Sequence, residues 1–179
     1  ARANAGSAGG SQNAALLFGG RVTSTAATAT TERYNGSTWS EVADLPAATP
    51  AGGVGGFGTQ NDAYAQHEVS EAAEGQNFNG TTWSESAAHN TQRTNFGIDG
   101  THNSAIMVGA YNSPIWQCTE IYDGVTWSEA TALPNGSRGP TISGTANSAH
   151  AQGNHFQVNG GRTFYHWNGT SWDSTSVLN

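Results

Sequence analysis

Tyr34-Asn35-Gly36-Ser37-Thr38-Trp39-Ser40-Glu41 is the stretch on which the fold of this chain turns. Asn-Gly between strand-like segments is a strong signal for a hairpin, and in a two-residue turn both residues are expected at positive φ. The stretch returns as Phe78-Asn79-Gly80-Thr81-Thr82-Trp83-Ser84-Glu85 and as Tyr122-Asp123-Gly124-Val125-Thr126-Trp127-Ser128-Glu129. A fourth copy, Trp167-Asn168-Gly169-Thr170-Ser171-Trp172, departs from Ser-Glu with Asp173-Ser174. The tryptophans are spaced by 44, 44 and 45 residues, so the chain is an internal repeat before it is anything else.

A second anchor precedes each copy: Gly10-Ser11-Gln12-Asn13, Gly58-Thr59-Gln60-Asn61, Gly100-Thr101-His102-Asn103 and Gly144-Thr145-Ala146-Asn147. Each reads as a turn followed by a short strand, such as 14–18 or 105–108, and a further strand leads into each aromatic, as in 28–34 and 117–122. With a Gly-rich strand ahead of the anchor, each repeat offers four short strands over about 44 residues, the period of a propeller blade. Helix is nearly excluded, because no window places apolar residues at i, i+3, i+4 and i+7 between capping signals. The expected architecture is all-β: four four-stranded blades at about 1–47, 48–92, 93–137 and 138–179, forming one domain. Such blades close alone into a small ring or form part of a larger propeller.

Charge narrows the partners. Six Arg and no Lys face thirteen acidic residues, a net charge of -7 that opposes binding to a phosphate backbone, so nucleic acid is not an expected partner. No apolar run approaches the roughly 18 residues of a membrane span, and no secretory leader is visible, so no membrane insertion is expected. Cys118 is the one cysteine and has no partner for an internal disulfide. Met107 is the one methionine and the sequence opens at Ala1, which reads as a processed product or an excerpt. Large aliphatic residues are sparse among Gly, Ala, Ser, Thr and Asn, so order is expected from a thin repetitive core rather than one large centre.

Leu17-Phe18-Gly19-Gly20, followed by Tyr34 and Trp39 in that order, resembles the kelch family, whose diglycine closes the second strand of a blade. The resemblance spans all four repeats, although the diglycine is replaced by His67-Glu68, Gly109-Ala110 and Gly153-Asn154 in the other three. The wording Asn-Gly-Ser/Thr-x-Trp-Ser-Glu with Gly-Thr-x-Asn upstream is similar to kelch-like repeats of bacteriophage and marine microbial surface proteins. That likeness implies a virion appendage, fibre or extracellular adhesin, with partners that are protein subunits of an assembly, glycans, or further copies of the chain. A free-standing lectin is the alternative. Galactose oxidase shares the kelch architecture, but its Tyr-Cys cross-link and copper ligands have no match here beyond Cys118 near the repeat position Tyr122. A glycosidase would need two carboxylates at a set separation, whereas Glu41, Glu85 and Glu129 read as scaffold positions. No enzyme activity and no cofactor are expected.

Repeated aromatics read as packing residues: Tyr34, Trp39, Phe78, Trp83, Tyr122, Trp127, Trp167 and Trp172. Binding is expected on the loops that differ between repeats. There the non-repeating Tyr111, Trp116 and Phe156, with Asn112, Asn154 and Arg162, could present stacking and hydrogen-bonding groups to a glycan or a protein. Glu68, Glu71 and Glu74 show no calcium-loop spacing, and the six histidines show no ligand spacing, so no metal is expected. Asn35, Asn79, Asn135 and Asn168 match the glycosylation sequon, three of them as the hairpin turns themselves.

Overall fold

The computed structural model describes residues 2–23, 26–48, 54–67, 75–111, 117–153 and 163–177. The chain divides into two compact units, Ala1–Ala88 and His89–Asn179. In the first unit, β1 (Gly6–Ser11), β2 (Ala14–Phe18), β3 (Thr31–Tyr34) and β4 (Trp39–Val42) form one antiparallel sheet in sequence order. A second sheet follows, with β5 (Val54–Thr59), β6 (Asp62–His67), β7 (Gly75–Phe78) and β8 (Trp83–Ser86). The second unit repeats the plan with β9 (Gly97–Thr101), β10 (Ser104–Val108), β11 (Thr119–Tyr122) and β12 (Trp127–Ala130). Its other sheet holds β13 (Thr141–Thr145), β14 (Ser148–Gln152), β15 (Thr163–Trp167) and β16 (Trp172–Val177). The protein is therefore all-β, with four antiparallel four-stranded sheets and almost no helix among the described residues.

The aromatic-Asn-Gly turns join the last two strands of every sheet, as the spacing predicts, but their geometry differs from a two-residue turn. The pairs Tyr34–Trp39, Phe78–Trp83, Tyr122–Trp127 and Trp167–Trp172 close the ladders, leaving four residues in each loop. Only the glycines have positive φ, for example 96° at Gly36. The Asn does its work through its side chain: Asn35 Oδ1 accepts from the amides of Ser37 and Thr38, both at 3.0 Å. Asp123 does the same toward Val125 and Thr126 at 2.8 Å. A carboxylate or amide oxygen two and three residues upstream thus replaces the second positive φ. Each closing aromatic pair is in ring contact, with centroids 5.0–5.2 Å apart.

Each sheet carries its Trp on one face, and within a unit that face of the second sheet packs on the first. In the first unit Leu16, Phe18 and Leu45 meet Ala63, Ala65, Phe78 and Trp83. The Trp83 ring stands edge-on to Phe18 at 5.2 Å, and its indole N–H donates to Thr31 Oγ1 at 3.2 Å. The second unit repeats the arrangement: Ile106 and Val108 meet Ala149, Ala151, Trp167 and Trp172, and the Trp172 indole donates to Thr119 Oγ1 at 3.2 Å. Ala63 and Ala65 on β6, and Ala149 and Ala151 on β14, let the sheets approach closely, and Gly56 carries this further, since a Cβ there would lie 2.4 Å from Phe18 Cζ.

Trp39 departs from its expected packing role. Trp83, Trp127 and Trp172 are buried, but Trp39 is 49% exposed and keeps Tyr34 as its ring neighbour. Trp83 and Trp172 have a preceding sheet in their own unit to sit on. Trp127, in the first sheet of the second unit, has the segment 89–92 beside it, where Asn90 Nδ2 donates to the Trp127 carbonyl at 2.9 Å.

Candidate functional site

The strand register reveals a period of two sheets beneath the period of one. Glu32 lies opposite Leu17 in the first sheet, and Glu120 holds the same place opposite Met107 in the third. Each is paired with an arginine four residues ahead of its first strand, Arg2 with Glu32 and Arg93 with Glu120. Both arginines also donate to the carbonyl just before the third strand, that of Thr30 or Cys118. In the second and fourth sheets the Glu position holds Gln76 and Tyr165 instead. Asn4 and Asn95, two residues beyond these arginines, have φ of 55° and 52°, the only positive values on residues other than Gly among those described.

In the second unit this repeated frame holds the end of β10 in place. Gly109, with φ 71°, donates to the Cys118 carbonyl at 2.9 Å. Ala110 then donates to Ser137 O at 3.1 Å, and Tyr111 to Thr94 O at 2.8 Å. Gly139 in turn donates to Asn95 O at 2.7 Å. Three segments separated in sequence (93–96, 109–111 and 137–139) are thereby tied through their backbones.

From this base Tyr111 projects into solvent with 45% of its surface exposed, and the Arg138 guanidinium carbon lies 3.8 Å from its ring centroid. A cation over an aromatic face at an exposed site contributes about 0.5–1 kcal/mol, enough to orient the two side chains. Together they offer a planar donor fork beside an aromatic ring, able to hydrogen-bond a carboxylate or hydroxyl while an apolar face stacks on the tyrosine. The first unit has Arg21 at the matching place, bridged to Ala3, and no aromatic there.

Of the residues expected to bind, Tyr111 is thus placed on the surface. Asn112, Trp116, Asn154, Phe156 and Arg162 lie outside the described residues, as do Glu68, Glu71, Glu74 and His155. Arg138 was not anticipated; its signal was that it is one of only six cations and stands at a position the other repeats do not keep basic. Glu41, Glu85 and Glu129 are exposed, one on each of three separate sheets. Among the described residues, no three or more His, Cys, Asp or Glu converge in a way that could hold a metal ion, and no helix is long and apolar enough to cross a membrane.

Beneath the surface, the Arg93–Glu120 pair is fully buried. Glu120 also accepts from the Asn90 amide at 2.6 Å, from Asn90 Nδ2 at 3.1 Å and from the Thr91 amide at 3.2 Å. His89 is buried nearby, and neither ring nitrogen has a hydrogen-bond partner among the described residues. Burial first, and the Arg93 charge second, push its pKa down to about 4, which keeps the ring neutral at physiological pH. Compared with protein-family models and with curated proteins, the chain matches none of them.

Proposed function

We propose that the chain is a non-catalytic structural or adhesive module built on a kelch-like β-propeller, serving a virion appendage or extracellular assembly. Four sequential four-stranded antiparallel sheets with a repeating aromatic closure support the propeller reading. The observation that carries the binding role is the pairing of the exposed Tyr111 with the half-buried Arg138, held by backbone bonds from three segments. Rigid aromatics with a neighbouring arginine are the side chains that dominate recognition surfaces. Its partner is a neighbouring subunit or a surface glycan.

A glycan array and a capture assay with the other subunits of the assembly, run on wild type and on a Tyr111→Ala, Arg138→Ala double variant, test this reading. Binding that falls at least about tenfold in the double variant, with unfolding unchanged, supports it. Binding indifferent to both residues, or turnover of a glycan, overturns it.

A further inference from the structure

We infer that the Tyr111–Arg138 site takes the carboxylate of an acidic sugar. The inference rests on the binding role proposed above and names the ligand class for that same site.

The arginines differ in what their guanidinium groups do. Arg2 and Arg93 are paired with Glu32 and Glu120, while Arg33 donates to the Gly80 carbonyl at 2.5 Å and lies over the Phe78 ring. The Arg138 guanidinium has no hydrogen-bond or ion-pair partner among the described residues. Its carbon stands 3.8 Å from the Tyr111 ring centroid, a contact made through the flat face of the group that uses none of its N–H donors.

The open fork is also held in place. Both peptide groups of Arg138 are bonded, Ser137 O to the Ala110 amide at 3.1 Å and the Gly139 amide to Asn95 O at 2.7 Å. Tyr111 is fixed by its own amide, which donates to Thr94 O at 2.8 Å. Donors positioned before a ligand arrives lose little freedom on binding, and guanidinium meets carboxylate through parallel N–H···O bonds. The exposed tyrosine gives the C–H face of a pyranose a surface to stack on, and the exposed Asn95 carries a carboxamide on the segment to which both residues are tied.

Charge selects among the carriers of a carboxylate. The net charge of -7 repels a densely charged partner such as a sulfated polymer or an acidic protein face. A sugar with one carboxylate among neutral hydroxyls brings one charge to this fork, and salt screens it from acids more than roughly 8 Å away.

Calorimetric titration of the whole chain tests this with three probes: a glucuronate oligosaccharide and sialyllactose, each against its neutral methyl ester, and a capped peptide holding one glutamate. The expected result is that at least one acidic sugar binds at least about tenfold tighter than its ester. Which of them binds separates a uronate from a sialic acid. Arg138→Gln should abolish the preference, whereas Tyr111→Ala should weaken acid and ester together, with thermal unfolding confirming that both variants fold. Failure of both acidic sugars to bind, a preference that survives Arg138→Gln, or a peptide that binds as tightly as the sugar overturns the inference. If subunit capture still falls in the Tyr111→Ala, Arg138→Ala variant, such a result strikes the ligand class alone and leaves the binding role standing.

Discussion

The first sheets of the two units are built on one pattern and end in different states. Glu120 collects two backbone amides, an asparagine side chain and Arg93, and is wholly buried. Glu32 has Arg2 as its one hydrogen-bond partner among the described residues and keeps a third of its side chain in solvent. Trp127 is covered where Trp39 is open. In the second unit the segment 89–92 lies along the third sheet and supplies the amides that Glu120 collects. A repeat position is therefore not core or surface by its own sequence; the chain packed against it decides.

That comparison breaks most readily at the tryptophans. Trp83→Ala empties a filled space between two sheets and should cost about 3–5 kcal/mol in denaturant unfolding, whereas Trp39→Ala should cost under about 1 kcal/mol. Equal losses would mean that Trp39 is covered in the folded protein in solution. The ion pairs come next. Glu120→Ala leaves Arg93 buried without its charge partner, at a cost of about 3 kcal/mol or more, while Glu32→Ala should cost about 1 kcal/mol or less because water already reaches the pair.

An effect confined to acid pH concerns His89, which stands six residues after Trp83 where Leu45 and Leu133 stand six after Trp39 and Trp127. Its folded pKa of about 4 lies below the value of 6.5 that it takes when unfolded. The unfolded chain therefore binds the proton first as pH falls, and stability is lost between about pH 6.5 and pH 4. His89→Leu should remove that loss, which amounts to about 3 kcal/mol at pH 4 for a shift of this size. A stability curve whose acid limb is unchanged by the substitution would show that another group carries the pH dependence.

Much of the architecture was legible because Trp39, Trp83, Trp127 and Trp172 mark a turn whose neighbours must be antiparallel strands. The two-sheet period was hidden, since Arg93 and Glu120 lie 27 residues apart and only alternate repeats carry the pair. Comparing Arg2 with Arg93, each four residues before a strand, is the signal that reveals it. Trp39 could not be told from Trp83 by sequence, because exposure there depends on a neighbouring sheet rather than on local chemistry. Tyr111 was legible as a non-repeating aromatic. Arg138 was not, because the backbone bonds that bring it over the ring join segments remote in sequence.

The Asn-Gly turns also set how the protein ages. An asparagine followed by glycine is the pair most prone to deamidation, in which the glycine amide nitrogen attacks the side-chain carbonyl, ammonia leaves, and addition of water to the cyclic imide gives aspartate or isoaspartate. The third repeat shows what the first product would do: Asp123 takes the same turn, and the Thr126 and Val125 amides hold its carboxyl below the usual carboxylate range. Aspartate at Asn35, Asn79 or Asn168 is therefore a harmless scar. Isoaspartate inserts an extra backbone carbon between residues whose amides must reach one oxygen, and would prise the aromatic pair apart. Chemical wear in this fold divides at a single hydrolysis step into harmless and ruinous.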